Sequence, residues 1–250
     1  MDDDLTVTTL ADRPDLRPLL WEMPDSWPAF MLQDLVAHAT LGRLVDEFPE
    51  FTLVATDPAG QLVARGLSVP FLLGTPRRGT LPDRGWDQVV LWALHDRIRG
   101  DRPDTVTALE IAIRPDRQGT GLSTRLVAAM RANAAAHGFT ELVAPVRPSA
   151  KHLEPGTPMP EYAARVREAD GLPEDPWLRV HVRAGAVIER VCPVAMTVAG
   201  SLAEWRAWTG LPFDASGEVL VPGALAPVRC DPERDQAVYV EPNVWLRHRL

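Results

Sequence analysis

From Thr107 to Leu126 the chain reads Thr-Ala-Leu-Glu-Ile-Ala-Ile-Arg-Pro-Asp-Arg-Gln-Gly-Thr-Gly-Leu-Ser-Thr-Arg-Leu, an order of residue types that can hold an anion. Leu109, Ile111 and Ile113 alternate with Glu110 and Ala112, the period of a strand. Pro115 stops that strand. Gly119 and Gly121 allow a tight loop that approaches a ligand without Cβ interference. The helix predicted from Leu122 leaves its first N–H groups unpaired at its N-terminus, where backbone donors and the helix dipole suit a phosphate. The loop Gln118, Gly119, Thr120, Gly121, Leu122, Ser123, Thr124 is therefore the candidate anion site. It is not a P-loop, because Leu122-Ser123 follows Gly121 where Lys-Ser/Thr is needed. It lacks the third glycine of a Rossmann fingerprint. A glycine-rich turn with no ligand is the plainer alternative. Glu110 is the only ionisable side chain inside the strand before the loop. It is placed either to take a proton or to pair with an arginine.

The elements around this segment decide where these groups sit. Leu122, Leu126, Val127, Met130 and Ala134 recur at helical spacing, and His137-Gly138 caps the helix before the apolar run Leu142–Val146. Upstream, Leu5–Leu10 reads as a strand, and Arg13–Trp21 and Phe30–Phe48 as helices. Residues 51–56 and 61–73 read as two arms of a hairpin about Asp57-Pro-Ala-Gly60. Trp86–Arg99 has the spacing of an amphipathic helix. Pro148–Pro173 is a long Pro-rich polar excursion with one short helix, a length that implies a functional or mobile loop. Pro176–Val191 reads as helix, Gly185 cap and strand. Leu202–Thr209 is a helix, and Gly217–Val228 and Gln236–Val244 a strand pair. The order gives a mixed α/β sheet with helices on both faces. The expected division is one domain over residues 1–195 and a strand-rich C-terminal extension, 196–250, packed on it.

The strand–Pro–loop–helix segment resembles the signature of the GNAT superfamily of acyl-CoA-dependent N-acyltransferases, Gln/Arg-x-x-Gly-x-Gly/Ala. Gln118, Gly119, Thr120, Gly121, Leu122 and Ser123 fill that pattern, with Ser123 replacing the usual last small residue. The helix–Gly185–strand unit is similar to the one that follows in these proteins. The resemblance covers residues 105–191 well and 50–75 loosely, and does not reach the last fifty. It implies a mostly antiparallel GNAT-like sheet and acetyl-CoA, or another acyl-CoA, as co-substrate. It also implies an amine of a small molecule as acceptor, attacking directly. Acyl transfer from an acyl carrier protein, or acyl-CoA binding without catalysis, are the alternatives.

Each remaining candidate follows from that resemblance. Ile111 and Ile113 would offer backbone contacts to the pantetheine arm. Acyl transfer needs a neutral amine and a protonated leaving thiolate, hence a base and an acid. Glu110, on the strand of Glu-Ile-x-Ile form, would be the base. His181 stands four residues before Gly185, where GNAT proteins often keep a Tyr, and would be the acid. If it is not, the role falls to Tyr162, Tyr239 or water. Trp27 and Phe30, within the stretch Trp21–Met31, would line the acceptor site, although inter-helix packing explains them as well. Tyr239 and Glu241 could close over the acceptor, with Glu241 meeting an ammonium group, or could belong to an edge strand.

Composition narrows the partners. The formal net charge of −8 argues against non-specific nucleic-acid binding and suits a cationic acceptor. Two cysteines, Cys192 and Cys230, make no disulfide scaffold, which points to a reducing compartment. The start Met-Asp-Asp-Asp is unlike a signal peptide, and no apolar run reaches spanning length. The expected location is cytoplasmic, with no membrane partner. No pair of histidines has metal-ligand spacing, so no metal is expected. Abundant Arg, Ala, Pro and Val suggest a bacterial source. Oligomeric state is not legible.

Overall fold

The computed structural model describes residues 5–250; the acidic start Met1–Asp4 lies outside them. The chain folds around one nine-stranded sheet in the order β1-β2-β3-β4-β5-β9-β8-β7, with β6 also paired to β9. In chain order the elements are β1 (Thr6–Thr9), α1 (Leu35–Glu47), β2 (Thr52–Thr56), β3 (Leu62–Phe71), α2 (Gly85–Arg99), β4 (Thr105–Ile113), α3 (Leu122–Ala136) and β5 (Glu141–Val146). There follow α4 (Met159–Ala163), α5 (Pro176–Arg183), β6 (Ala186–Gly200), α6 (Leu202–Thr209), β7 (Gly217–Val219), β8 (Val228–Asp231) and β9 (Gln236–Arg249). Every pairing is antiparallel except β4 with β5. The fold is the mixed, mostly antiparallel GNAT-like α/β class that the motif implied.

The segments expected to be helical at Arg13–Trp21 and at the start of Phe30–Phe48 are instead short 3₁₀ turns, Pro14–Leu20 and Met31–Gln33. Prolines explain the first: Pro18 inside the segment has no N–H for an α-helical bond. Asp34 starts α1 proper by accepting the Ala37 N–H at 2.7 Å.

The boundary expected at residue 195 falls inside β6. Residues 196–250 are not laid on the outside of a finished domain. Their last strand, β9, inserts between β5 and β6, in register from Glu141↔Arg249 to Val146↔Val244 and from Ala186↔His248 to Gly200↔Ala237. Trp205 of α6 is fully buried, gives its indole N–H to the Ala237 carbonyl at 2.8 Å, and packs on Phe30 and Phe213. Tyr239 and Trp245 of β9 lie in the same cluster as Phe71, Val89 and Val106.

This arrangement predicts a single cooperative unfolding transition. Trp205→Ala should lower stability of the whole chain by about 3–5 kcal/mol, the usual cost of emptying a buried Trp site. Denaturant unfolding followed by both far-UV circular dichroism and Trp fluorescence checks it. Separate transitions for the two signals would instead mean an independent C-terminal unit.

Candidate active site

The sheet opens where β4 and β5 part. They pair at only two positions, Val106↔Leu142 and Thr107↔Val143, and then diverge. Beyond that point β4 keeps β3 on its outer edge as far as Ala64↔Ile113, and β5 keeps β9. The inner edges from Ala108 and from Ala144 are left without a strand partner. A register shift in β3–β4 puts an extra residue, Leu109, opposite the Leu67–Ser68 step. The Trp86 indole of α2 holds the Leu109 carbonyl at 3.1 Å. This slot leads along β4 to the glycine loop.

The loop has the conformation its sequence requires. Gly119 and Gly121 take φ of +76° and +87°, and nothing stands within 4 Å of where a Cβ on either would be. Gly121 caps α3 with no side-chain hydrogen bond, and the first turn of α3 carries no acid. The Thr124 and Arg125 N–H groups already bond the Gly121 carbonyl, and those of Leu122 and Ser123 are left to meet an anion. Gln118 folds back to the Ile113 carbonyl and the Ser26 hydroxyl, and Thr120 donates to the Arg117 carbonyl at 2.8 Å. Ile111 and Ile113 pack against Leu122 and Leu126 of α3, beyond the last β4–β5 pair at Thr107, and the Ile113 carbonyl is met by Gln118.

Glu110 points to the other face, and it is not alone there. Its carboxylate accepts from Trp27 Nε1 at 2.9 Å and from Arg65 Nη2 at 2.8 Å. Arg65, the one charge in a fully buried strand, also donates to Asp25 and to the Leu20 carbonyl. The Trp27 ring faces Arg147, whose guanidinium lies 5.9 Å from it. Arg147 Nε donates to Glu241 Oε2 at 3.0 Å, and its Nη2 to the Gly223 carbonyl. Burial opposes the charge on Arg147, but Glu241 and Tyr239 more than offset it and hold its pKa above the ordinary value. Tyr239 donates to Glu241 Oε2 at 2.9 Å and packs edge-on against Phe30 at 5.3 Å. Glu110, Trp27, Phe30, Tyr239 and Glu241, from three segments of the sequence, thus meet in one continuous network. Tyr239 and Glu241 are fully buried on a central strand rather than on an edge or a lid.

Arg65 and Arg147, which join the pieces, escaped the sequence reading. The signal for Arg65 was present: a single charge inside the run Leu62–Phe71, one strand away from Glu110. Arg147 follows β5 with nothing local to mark it.

Beside Glu241 lies a second acidic group. Asp34 and Asp87 are buried and the Thr197 peptide faces both. Burial first, then Asp34, raises the Asp87 pKa to about 8; Arg84 opposes this and Glu241 adds to it. Burial likewise raises Asp34.

His181 sits apart. It is buried in α5, with Nδ1 3.0 Å from Nε2 of His248. His248 pairs with Leu142, at the level where β4 and β5 are still joined. Desolvation and the neighbouring His248 push the His181 pKa down to about 3, and desolvation with Arg131 pushes His248 down to about 4. Buried, held neutral and turned to His248, this imidazole is not placed as the acid that its spacing to Gly185 implied. The excursion 148–173 is also pinned rather than loose. Asp175 accepts from Ala150 N and Tyr162 Oη, and Lys151 Nζ is buried on the carbonyls of Glu154 and Leu225.

No protein-family model matches the chain. It is 31% identical, over 98% of its length and 94% of the relative's, to the arginine N-acetyltransferase avaD of Aspergillus versicolor. The chain belongs to the GNAT family of N-acetyltransferases. Solved structures agree in fold. The loading GNATL domain of CurA from Lyngbya majuscula superposes with a TM-score of 0.61 at 20% identity, over 98% of this chain and 97% of that one. A GphF GNAT-like decarboxylase in complex with isobutyryl-CoA does so at 0.54 and 16%, over 98% of each chain. This GNAT chain transfers an acetyl group from acetyl-CoA to an amine of a small molecule. Among its described residues no helix is long and apolar enough to cross a membrane.

Two measurements probe the site as described. Gly121→Asp would add a Cβ at a left-handed position and a carboxylate beside the free N–H groups. Acetyl-CoA affinity by calorimetry should fall at least tenfold, about 1.4 kcal/mol; undiminished affinity in a folded variant would remove the loop from the CoA site. The histidine pair sets a pH slope. Both folded-state pKa values lie below the unfolded value near 6.5. The unfolded chain therefore binds more protons between about pH 3 and 6.5. The stability this pair contributes is complete above pH 6.5 and is lost as pH falls below it. His181→Gln should flatten the fall in denaturation midpoint between pH 7 and 4.5, and an unaltered slope would contradict the neutral pair.

Proposed function

We propose that the acceptor is arginine or a close cationic relative, and that its amine meets the acetyl group at the open end of the β4–β5 slot. The observation that carries this reading is the Glu110–Trp27–Arg147–Glu241 network, which brings carboxylates to the face of the slot opposite α3. The arginine N-acetyltransferase relative and the net charge of −8 support a cationic acceptor.

In this reading the peptide edges at Ile111 and Ile113 take the pantetheine arm. The N–H groups of Gly119 to Ser123 take the pyrophosphate, those of Gln118 and Thr124 being bonded to the Pro115 and Gly121 carbonyls. Trp27 and Phe30 form the apolar wall of the acceptor site, and Tyr239 with Glu241 its polar floor. The amine attacks the acetyl carbonyl carbon, a C–N bond forms, and the C–S bond to CoA breaks. The nitrogen must lose a proton in that step. Glu110 receives it through water on Oε2, the oxygen whose protein donor, Arg65 Nε, is distant at 3.4 Å. The other oxygen is occupied by Trp27 and Arg65 Nη2 and keeps the carboxylate in place. The departing thiolate takes its proton from solvent, since His181 is buried and turned to His248. Positioning of the two reactants supplies much of the acceleration.

The test is release of CoA thiol with acetyl-CoA and a panel of amines including arginine. Glu110→Gln should lower kcat about 10²-fold, the low end for general base catalysis. It should leave acetyl-CoA affinity within threefold. If Glu110→Gln turns over like the parent, the proton leaves by another route; if arginine releases no thiol, the acceptor reading fails.

A further inference from the structure

Inside the face that carries Glu241, four buried oxygens have no hydrogen-bond partner: Asp34 Oδ2, Asp87 Oδ1, Glu241 Oε1 and Asn243 Oδ1. Their residues are 1%, 3%, 0% and 2% exposed, respectively. Buried polar atoms are nearly always paired, so a group of orphans calls for a physical cause. Three are carboxylate oxygens and one an amide oxygen, and the single proton that burial makes Asp87 hold can satisfy at most one of the others. What would satisfy them is a donor, and a donor-rich one.

They come from three elements that the sheet brings together. Asp34 caps α1, Asp87 lies in the first turn of α2, and Glu241 and Asn243 are alternate residues of β9, on one face. Glu241 pairs across the sheet with Met196, next to Thr197, whose peptide faces both Asp34 and Asp87. Asn243 gives its amide N–H to the Pro145 carbonyl, in the stretch of β5 that borders the slot. The group therefore adjoins the place where acetyl transfer occurs.

Charge supports the same ligand. Three carboxylates converge, and only Glu241 has an arginine in contact, Arg147, among the described residues. Arg84 acts on Asp87 at longer range, while Asp34 and Glu241 repel it. Buried carboxylates with too little positive charge either take up a proton or bind a cation. No group of three His, Cys, Asp or Glu among the described residues is placed to hold a metal ion. A guanidinium is planar, always charged, and presents five N–H donors and no acceptor.

We infer that Asp34, Asp87, Glu241 and Asn243 form a buried pocket that reads the guanidinium of the acceptor and leaves its amine toward the slot. This rests on the acetyltransferase reading above and adds the residues that select the acceptor. Asp87 is then a specificity-determining residue. Binding costs it the proton that burial makes it hold, so arginine affinity should rise with pH up to about 8.

The experiment compares arginine with citrulline, its neutral isostere, at saturating acetyl-CoA. The parent should favour arginine by at least 100-fold in kcat/KM, and Asp87→Asn should cut that preference at least tenfold. Asp34→Asn is the second variant, should the first not fold. Calorimetry of arginine with the parent at pH 7, in buffers of different ionisation enthalpy, should show proton uptake by buffer. Equal use of arginine and citrulline, or a preference that both variants leave intact, would overturn the pocket while leaving the acetyltransferase in place. Conversely, arginine binding with proton release but no thiol release with any amine would support the pocket and sink the reaction.

Discussion

The divergence of β4 and β5 after two paired residues is the constraint on which the rest depends. A strand edge without a partner exposes peptide groups that must find donors and acceptors elsewhere. Two central strands can part this way only if each is held firmly on its other side. β3 does this for β4 along nearly its whole length, and β9 does it for β5 from end to end. The C-terminal strand is thus a condition for the slot. Without β9, β5 would be an edge strand held by β4 at two positions. The Leu109 bulge and the indole of Trp86 fix the β4 side at the height where the strands separate.

The same sheet divides the chemistry by face. In β9, Tyr239, Glu241, Asn243 and Trp245 alternate with Val240, Pro242, Val244 and Leu246. The first set meets Phe30, Arg147 and the β5 border of the slot, whereas Val244 and Leu246 pack with α4 and α5 residues. Glu110 and Ile111 divide in the same way on β4. The Glu110–Trp27–Arg147–Glu241 network therefore gathers on the α1–α2 face, and the glycine loop belongs to the α3 face. His181 lies on the α5 side with His248, where burial disfavours a charged imidazole.

How much of this could be read in the sequence follows from how far apart the contributing residues lie. Gly119 and Gly121 are local: strand, turn and helix cap are written within twenty residues, and the loop has the form the motif requires. Glu110 was visible for the same reason, as one charge in a short apolar run. Its partner Arg65 is 45 residues away and came into view only when β3 and β4 paired. His181 shows the converse. Its spacing to Gly185 matched the motif, but its environment is set by His248, 67 residues on. Spacing placed the side chain on the correct helix and said nothing of its solvation. Tyr239 and Glu241 were noticed as an odd polar-aromatic pair, and their central place became clear only with the insertion of β9. Asp34 and Asp87 drew no attention in the sequence, because by local criteria they are ordinary helix-start acids.

Arg147 gives an internal precedent for what this face can hold. Its guanidinium stands over the Trp27 ring, gives one N–H to Glu241 and another to the Gly223 carbonyl, and is almost withdrawn from solvent. An aromatic plane, a carboxylate and a carbonyl are the partners a guanidinium prefers. Just beyond Glu241 Oε2, where Arg147 is bound, the other oxygen of the same carboxylate has no partner, and neither do oxygens of Asn243, Asp87 and Asp34. One side of the carboxylate is filled by the protein's own arginine, and the other presents acceptors alone. Ion groups of this kind add little to stability compared with an apolar core of the same volume. Their presence beside the slot is what the proposed arginine-like acceptor, with a guanidinium of its own, would require, and not what the folding of the chain would.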